Sequence, residues 1–327
     1  FQAEDGIRDR SPSRGLGDVY KRQTVAISPY TVTADLEIQA GVILTIEPGV
    51  IVQIGSKDIE IKVKGKMVAE GSQALPIEFT SVNAPYIIDS WQNPLIEFEG
   101  NGSSLSYCQF NGPFDIRRGG EVNQVTYCSF DSKTTAQQID LTFSYIEFKC
   151  NQIRYNTFDG VVAHFQMIAS SSFVYSDNTH NGGKVELDPA REGVGNTQSS
   201  AVEVKGNQMT NATLRVNTRP NRTILIAGNQ IESDSNGEKG LDLDGHEDNV
   251  QTTVEYNTIT GWQVGIKSQS ACLIRYNNIY SNGINFQNDV GWKQVEMDAG
   301  NNWWGTLDAS LITAKIIDYH DNINKGK

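Results

Sequence analysis

The sequence has no run of about 18 consecutive apolar residues, the length a membrane-spanning helix needs, so none of it reads as a membrane span. Cysteine is scarce, at four in 327 residues, which excludes a disulfide-dense scaffold. The four histidines, at 164, 180, 246 and 320, show no paired spacing, and no cysteine stands at metal-ligand spacing, which argues against a zinc or copper site. Basic residues (27) are outnumbered by acidic ones (39), giving a net charge of −12 that would repel the phosphates of a nucleic acid. Gly-x-Ser-x-Gly and phosphate-binding loops are missing, and no stretch keeps a helical period over about a dozen residues. The hydrophobic fraction of 38% is below a globular average of about 45–50% that also counts Gly, yet Val, Ile and Leu recur along the whole chain. That combination suits an elongated fold with a thin core.

Phe1–Gln23 has neither strand alternation nor a helical stripe, and it carries no signal-peptide pattern. It resembles the translation of a sequencing adapter and is expected to lie outside the fold, which leaves one domain over 24–327. On this reading the natural N-terminus, and any signal peptide, would be missing.

From Thr24 onward, short Val/Ile-rich runs such as Ile43–Glu47, Val50–Ile54, Ile59–Val63 and Ile77–Thr80 are bounded by Gly, Asn and Pro, and they read as strands. Fragments recur. Tyr107-Cys108-Gln109-Phe110 returns as Tyr127-Cys128-Ser129-Phe130, and Tyr155-Asn156-Thr157-Phe158 returns near Tyr256 and Tyr276. The asparagines at 207, 229, 257, 277 and 301 are spaced by 22, 28, 20 and 24 residues. A period near 22 with short strands predicts coils of an all-β, single-stranded parallel β-helix of roughly a dozen turns. Asn is expected to take the left-handed backbone at each bend, and its amide to hydrogen-bond the equivalents above and below. The apolar residue two places on should then enter the core.

Gly41–Gly49, Lys64–Gly71 and Pro76–Ser81, together with Gly300-Asn-Asn-Trp-Trp-Gly305 and Ile312–Asp318, resemble the opening and closing motifs of right-handed parallel β-helix surface and secreted proteins of the pectate-lyase-like superfamily. The resemblance covers about residues 28 to 327. It implies the fold and an extracellular or cell-surface setting. It does not fix an activity, because such proteins include both carbohydrate-active enzymes and non-catalytic surface proteins. The closing motif usually continues into another strand, so the chain is expected to be a fragment at its C-terminus as well. Trp303 and Trp304 are expected to cap the last coil, with a sugar-stacking platform as the alternative.

Outward side chains of stacked coils form columns about 4.8 Å apart. Aligning the strands taken to follow each Asn turn gives one column of Glu186, Arg215, Asp242, Lys267 and Asn285, and a second of Asp188, Asn217, Asp244, Gln269 and Gln287. The plain reading is a solvated salt-bridge ladder; the functional one is a groove for a uronate chain. The catalytic candidates are Asp188, Asp242, Asp244, Arg215 and Lys267. Asp188 and Asp244 should lie two coils apart, about 9–10 Å, at the upper limit for an inverting acid–base pair. Asp242, Asp244, Glu247 and Asp248 could supply oxygens to Ca²⁺, although no glutamate follows at the EF-hand position. Cys108 and Cys128 fall at equivalent places in neighbouring coils, within disulfide reach, and read as two small buried hydrophobes or as a bridge. Asn101, Asn211 and Asn221 open glycosylation sequons, usable only on a eukaryotic secretory route.

Three classes of function remain. One is a structural, adhesive or filament-forming surface protein whose partners are glycans, neighbouring surface proteins or its own copies. The second is a polysaccharide lyase or glycoside hydrolase acting on an acidic polysaccharide. The third, ice binding, needs threonines at a coil period, and Thr210, Thr213, Thr223, Thr252 and Thr253 do not provide it.

Overall fold

A computed structural model describes residues 20–56, 58–81, 94–112, 114–131, 144–166, 172–188, 200–218, 222–245, 251–290 and 297–318. The chain forms two compact units, Phe1–Val162 and Ala163–Lys327. Each is a parallel β-helix, in which every coil contributes one strand to each of three parallel stacks.

In the first unit one stack runs through Leu36–Ile38, Glu60–Val63, Leu95–Phe98 and Asp115–Arg118, with Ile61, Ile96 and Ile116 in register. A second includes Tyr20–Gln23, Ile43–Ile46 and Lys66–Glu70. The third aligns Val52, Phe79, Phe110, Phe130 and Phe158. Along these strands buried side chains alternate with more exposed ones, which aims one face of each strand inward. The aligned phenylalanines are buried and stack face to face at 4.7, 4.8 and 5.1 Å. Glycine recurs at one bend because the coils touch there: a Cβ on Gly100 would collide with the Gly65 carbonyl, and one on Gly120 with that of Gly100.

The second unit repeats the plan. Val185, Leu214, Leu241, Ile266 and Phe286 align in one stack. Val202, Ile224, Thr252 and Cys272 align in another. The third holds the residues two places after each ladder asparagine: His180, Met209, Ile231, Ile259 and Ile279. All five are buried. Among the described residues, helix is confined to the turn Val25–Ile27 and to Ala309–Thr313, which is capped by Asp308.

The asparagine ladder exists, with two corrections. Each amide nitrogen donates to the next amide oxygen along Asn178, Asn207, Asn229, Asn257, Asn277 and Asn302, at 2.8–3.0 Å. The last member is therefore Asn302, not Asn301. The left-handed backbone also belongs to the residue before each asparagine: Asp177, Gly206, Gly228, Tyr256, Tyr276 and Asn301 have φ between 56° and 66°. The physical reason is division of labour. An amide that bonds both the coil above and its own coil must point inward from an extended backbone, so its neighbour takes the bend.

Sequence and structure also place the first strand differently. Tyr20–Gln23 pairs in register with Ile43–Ile46, so pairing begins ahead of Thr24.

Candidate functional site

Glu186, Arg215, Asp242 and Lys267 stand opposite one another on four successive strands of the second unit. The inward neighbours Leu214, Leu241 and Leu243 are fully buried, which turns this column outward. Asn217 stands opposite Asp244 in the next column. Two members need correction. Lys267 faces Gln287, not Asn285, and the second column continues toward Asp289. The strands also do not directly follow the Asn turn: short strands such as Thr179–Asn181 and Gln208–Thr210 intervene. Alignment by composition slips at Ile284–Asn288 because that strand pairs one pleat further along.

The column is closed by ion pairs. Lys184 Nζ lies 3.0 Å from Glu186, and Arg215 is 3.7 Å from the same carboxylate. Arg215 also clasps Asp244, Lys239 holds Asp242 at 3.1 Å, and Lys267 holds Asp289 at 3.1 Å. Asn217 donates to Glu186 at 3.2 Å. The Gln269 amide fits when its nitrogen donates to Asp244 at 2.8 Å and its oxygen accepts from Lys267 at 3.0 Å. Burial pushes the Glu186 carboxyl up, but the Lys184 hydrogen bond and the charges of Lys184 and Arg215 outweigh it and hold the group below its usual value. Asp242 is the most enclosed carboxylate of the column, with its side chain 12% exposed, and its Oδ1 has no hydrogen-bond partner. Lys184, Lys239 and Asp289 complete the network, and none of them is among the residues that the sequence pattern singles out. Lys184 and Lys239 begin the same strands and are found by extending the alignment; Asp289 lies past the slipped strand.

A Ca²⁺ ion takes about six to eight oxygen ligands. Asp242 gives its Oδ2 to Lys239 and Asp244 its Oδ2 to Arg215, so one oxygen of each candidate ligand is committed to a cation. Glu247 and Asp248 lie outside the described residues, as does Asn221. Asp188 ends its strand at the rim of the second column. Asn211 uses its side chain locally, donating to Asp234 at 2.7 Å and accepting from Ser233 and Ser235. Asn101 accepts the Glu121 amide at 2.8 Å and is exposed.

Cys108 and Cys128 are buried free thiols at the ladder position of their coils. Cys128 N–H donates to Asn156 Oδ1 at 2.9 Å, as a ladder asparagine would. Burial, with the neighbouring Cys128 thiol, pushes the Cys108 thiol well above its usual value, so Cys108 behaves as a small apolar residue. Just outside them, Tyr107, Tyr127 and Tyr155 stack face to face at 4.6 and 4.8 Å, with ring planes within 2° and 13°. Tyr127 and Tyr155 are each 46% exposed. A shorter stack, Tyr256 on Tyr276 at 5.5 Å, occupies the same turn in the second unit. At the last coil Trp303 pairs through its backbone with Asn278 and is 44% exposed, while Trp304 is half-buried one place further on.

Among the described residues no helix is long and apolar enough to cross a membrane. No protein-family description matches the sequence, and no curated protein matches it. A solved structure, the crystal structure of the Dettilon tailspike protein, is similar to 88% of this chain at 13% identity, with a TM-score of 0.38. The match spans 62% of that chain's length.

Proposed function

We propose that this chain is the β-helical scaffold of an extracellular or cell-surface protein with a structural, adhesive or filament-forming role, and that its outward faces meet glycans or neighbouring proteins. The observation that carries this reading is the set of paired charges in the second unit. A general acid must keep its proton near neutral pH, which requires a raised pKa. Glu186 is held below its usual value instead, and Asp244 is clasped by Arg215. Arg215 and Lys267 pair with carboxylates of neighbouring coils, which favours register and solubility; a column of like charges would push the coils apart.

The second reading is a carbohydrate-active enzyme or glycan groove for an acidic polysaccharide. Asp242 favours it, because a shielded carboxylate oxygen without a partner is a feature common at reacting sites. One experiment separates the two. The chain and its Asp242→Asn variant are incubated with polyuronates and neutral glycans, and binding and chain cleavage are read alongside urea unfolding. The scaffold reading expects no cleavage by either protein, with the effect of the variant confined to stability, because it leaves Lys239 without its carboxylate. Cleavage by the parent that disappears in an equally stable Asp242→Asn variant establishes the enzyme.

A further inference from the structure

We infer that the Tyr107–Tyr127–Tyr155 stack of the first unit is a site of oxidative tyrosine coupling, where a peroxide-fed one-electron oxidant joins rings of successive coils as an intramolecular biphenol. This goes beyond the scaffold reading and does not depend on it.

Four observations place the chemistry here. The rings lie 4.6 and 4.8 Å apart, centre to centre, and the Tyr107 and Tyr127 planes differ by 2°. Rings related almost by pure translation bring each ortho carbon of one close to its counterpart on the next. The backbone is fixed in the left-handed region at all three residues, with φ of 50°, 55° and 58°, and this holds the side chains in line. Successive backbones are also tied, since Tyr107 N–H donates to Thr126 O and Tyr127 N–H to Arg154 O, both at 3.1 Å. Finally, Tyr127 and Tyr155 are each 46% exposed, so an oxidant reaches them, whereas the stacked Phe79, Phe110, Phe130 and Phe158 are buried and lack a phenol.

The chemistry balances. Each of two phenols gives up one hydrogen atom, as a proton and an electron. The two phenoxyl radicals couple ortho to ortho, forming one carbon–carbon bond, and the displaced ring hydrogens move to the oxygens as the rings regain aromaticity. The two hydrogen atoms removed reduce one hydrogen peroxide to two waters. The product would join coils whose tyrosines are 20 and 28 residues apart along the chain. A solenoid depends on nearest-neighbour coil contacts, so such a bond resists unzipping at that point.

The test uses the full chain with hydrogen peroxide and a peroxidase, followed by peptide mapping and biphenol fluorescence. The expected result is 107–127 and 127–155 cross-links within one chain, at a yield independent of protein concentration, together with a higher urea midpoint. Tyr127→Phe keeps the ring and the stack, which circular dichroism verifies, and removes the central phenol. Both first-unit cross-links should then disappear. The Tyr256–Tyr276 pair is wider, and the Arg275 guanidinium sits 5.6 Å from the Tyr276 ring centre, where its charge disfavours electron loss. It should couple later than the first-unit stack. Coupling mainly between chains, an unchanged first-unit yield in Tyr127→Phe, or oxidation of Cys108 and Cys128 without biphenol would overturn the proposal.

Discussion

Asn229→Ala probes the amide ladder most directly. The Asn229 Oδ1 accepts the Asn207 backbone N–H at 3.0 Å and the Asn207 side-chain amide at 2.8 Å. Its Nδ2 donates to Val204 O at 2.9 Å, to Ala227 O at 3.3 Å and to Asn257 Oδ1 at 2.9 Å. The residue is 2% exposed. Truncation leaves the buried Asn207 N–H without an acceptor, which costs about 1–3 kcal/mol, and removes further bonds each worth about 1 kcal/mol net. The expected loss is about 4 kcal/mol. Urea unfolding followed by circular dichroism measures it, and hydrogen exchange at the Asn207 amide should accelerate with it. Asn229→Asp supplies a second arm. It keeps the acceptor but turns an oxygen toward Val204 O and Asn257 Oδ1. Burial and those acceptors raise the folded pKa of the new carboxyl above its unfolded value, so the native state binds more protons and the variant gains stability as pH falls. A loss under about 1 kcal/mol in Asn229→Ala, or an Asn229→Asp variant that weakens on acidification across the titration of its carboxyl, would refute the reasoning.

Other tests follow from the same contacts. His180 is fully buried against the Tyr175 hydroxyl, and burial lowers its pKa from 6.5 to about 3. A depressed folded pKa means that the unfolded chain takes up the proton first, so stability present above pH 6.5 should fall on acidification, by about 2 kcal/mol between pH 7 and 5. Urea midpoints across that window, with His180→Leu as the pH-insensitive reference, check the slope. Phe110→Ala removes the ring between Phe79 and Phe130 and should cost about 3–5 kcal/mol by urea unfolding. Deleting residues 1–19 should leave the thermal midpoint unchanged, whereas deleting through Gln23 uncovers Ile43–Ile46 and should lower it; equal midpoints would remove Tyr20–Gln23 from the fold.

The sequence by itself determined the coil. Its signals are local and repeat: apolar alternation at Ile43–Ile46 and Ile51–Ile54, Tyr-Asn and Gly-Asn pairs near a 22-residue spacing, and phenylalanine at matching places in successive coils. Such features depend only on each strand having a buried side and on the bend needing a permissive residue. The same alternation, matched strand to strand, suffices to set Glu186, Arg215, Asp242 and Lys267 in one column. Tertiary structure alone decided register and occupancy. Whether Lys267 meets Asn285 or Gln287 is a slip of two residues, which preserves the inward pattern and therefore leaves no trace in composition. Which asparagine ends the ladder, 301 or 302, depends on which of the two carries the bend. That His180 takes a core position held elsewhere by Met209 and Ile231, and that Tyr107, Tyr127 and Tyr155 meet ring to ring, follow from stacking residues 20–29 positions apart in sequence. Such contacts arise between coils, and no single coil encodes them.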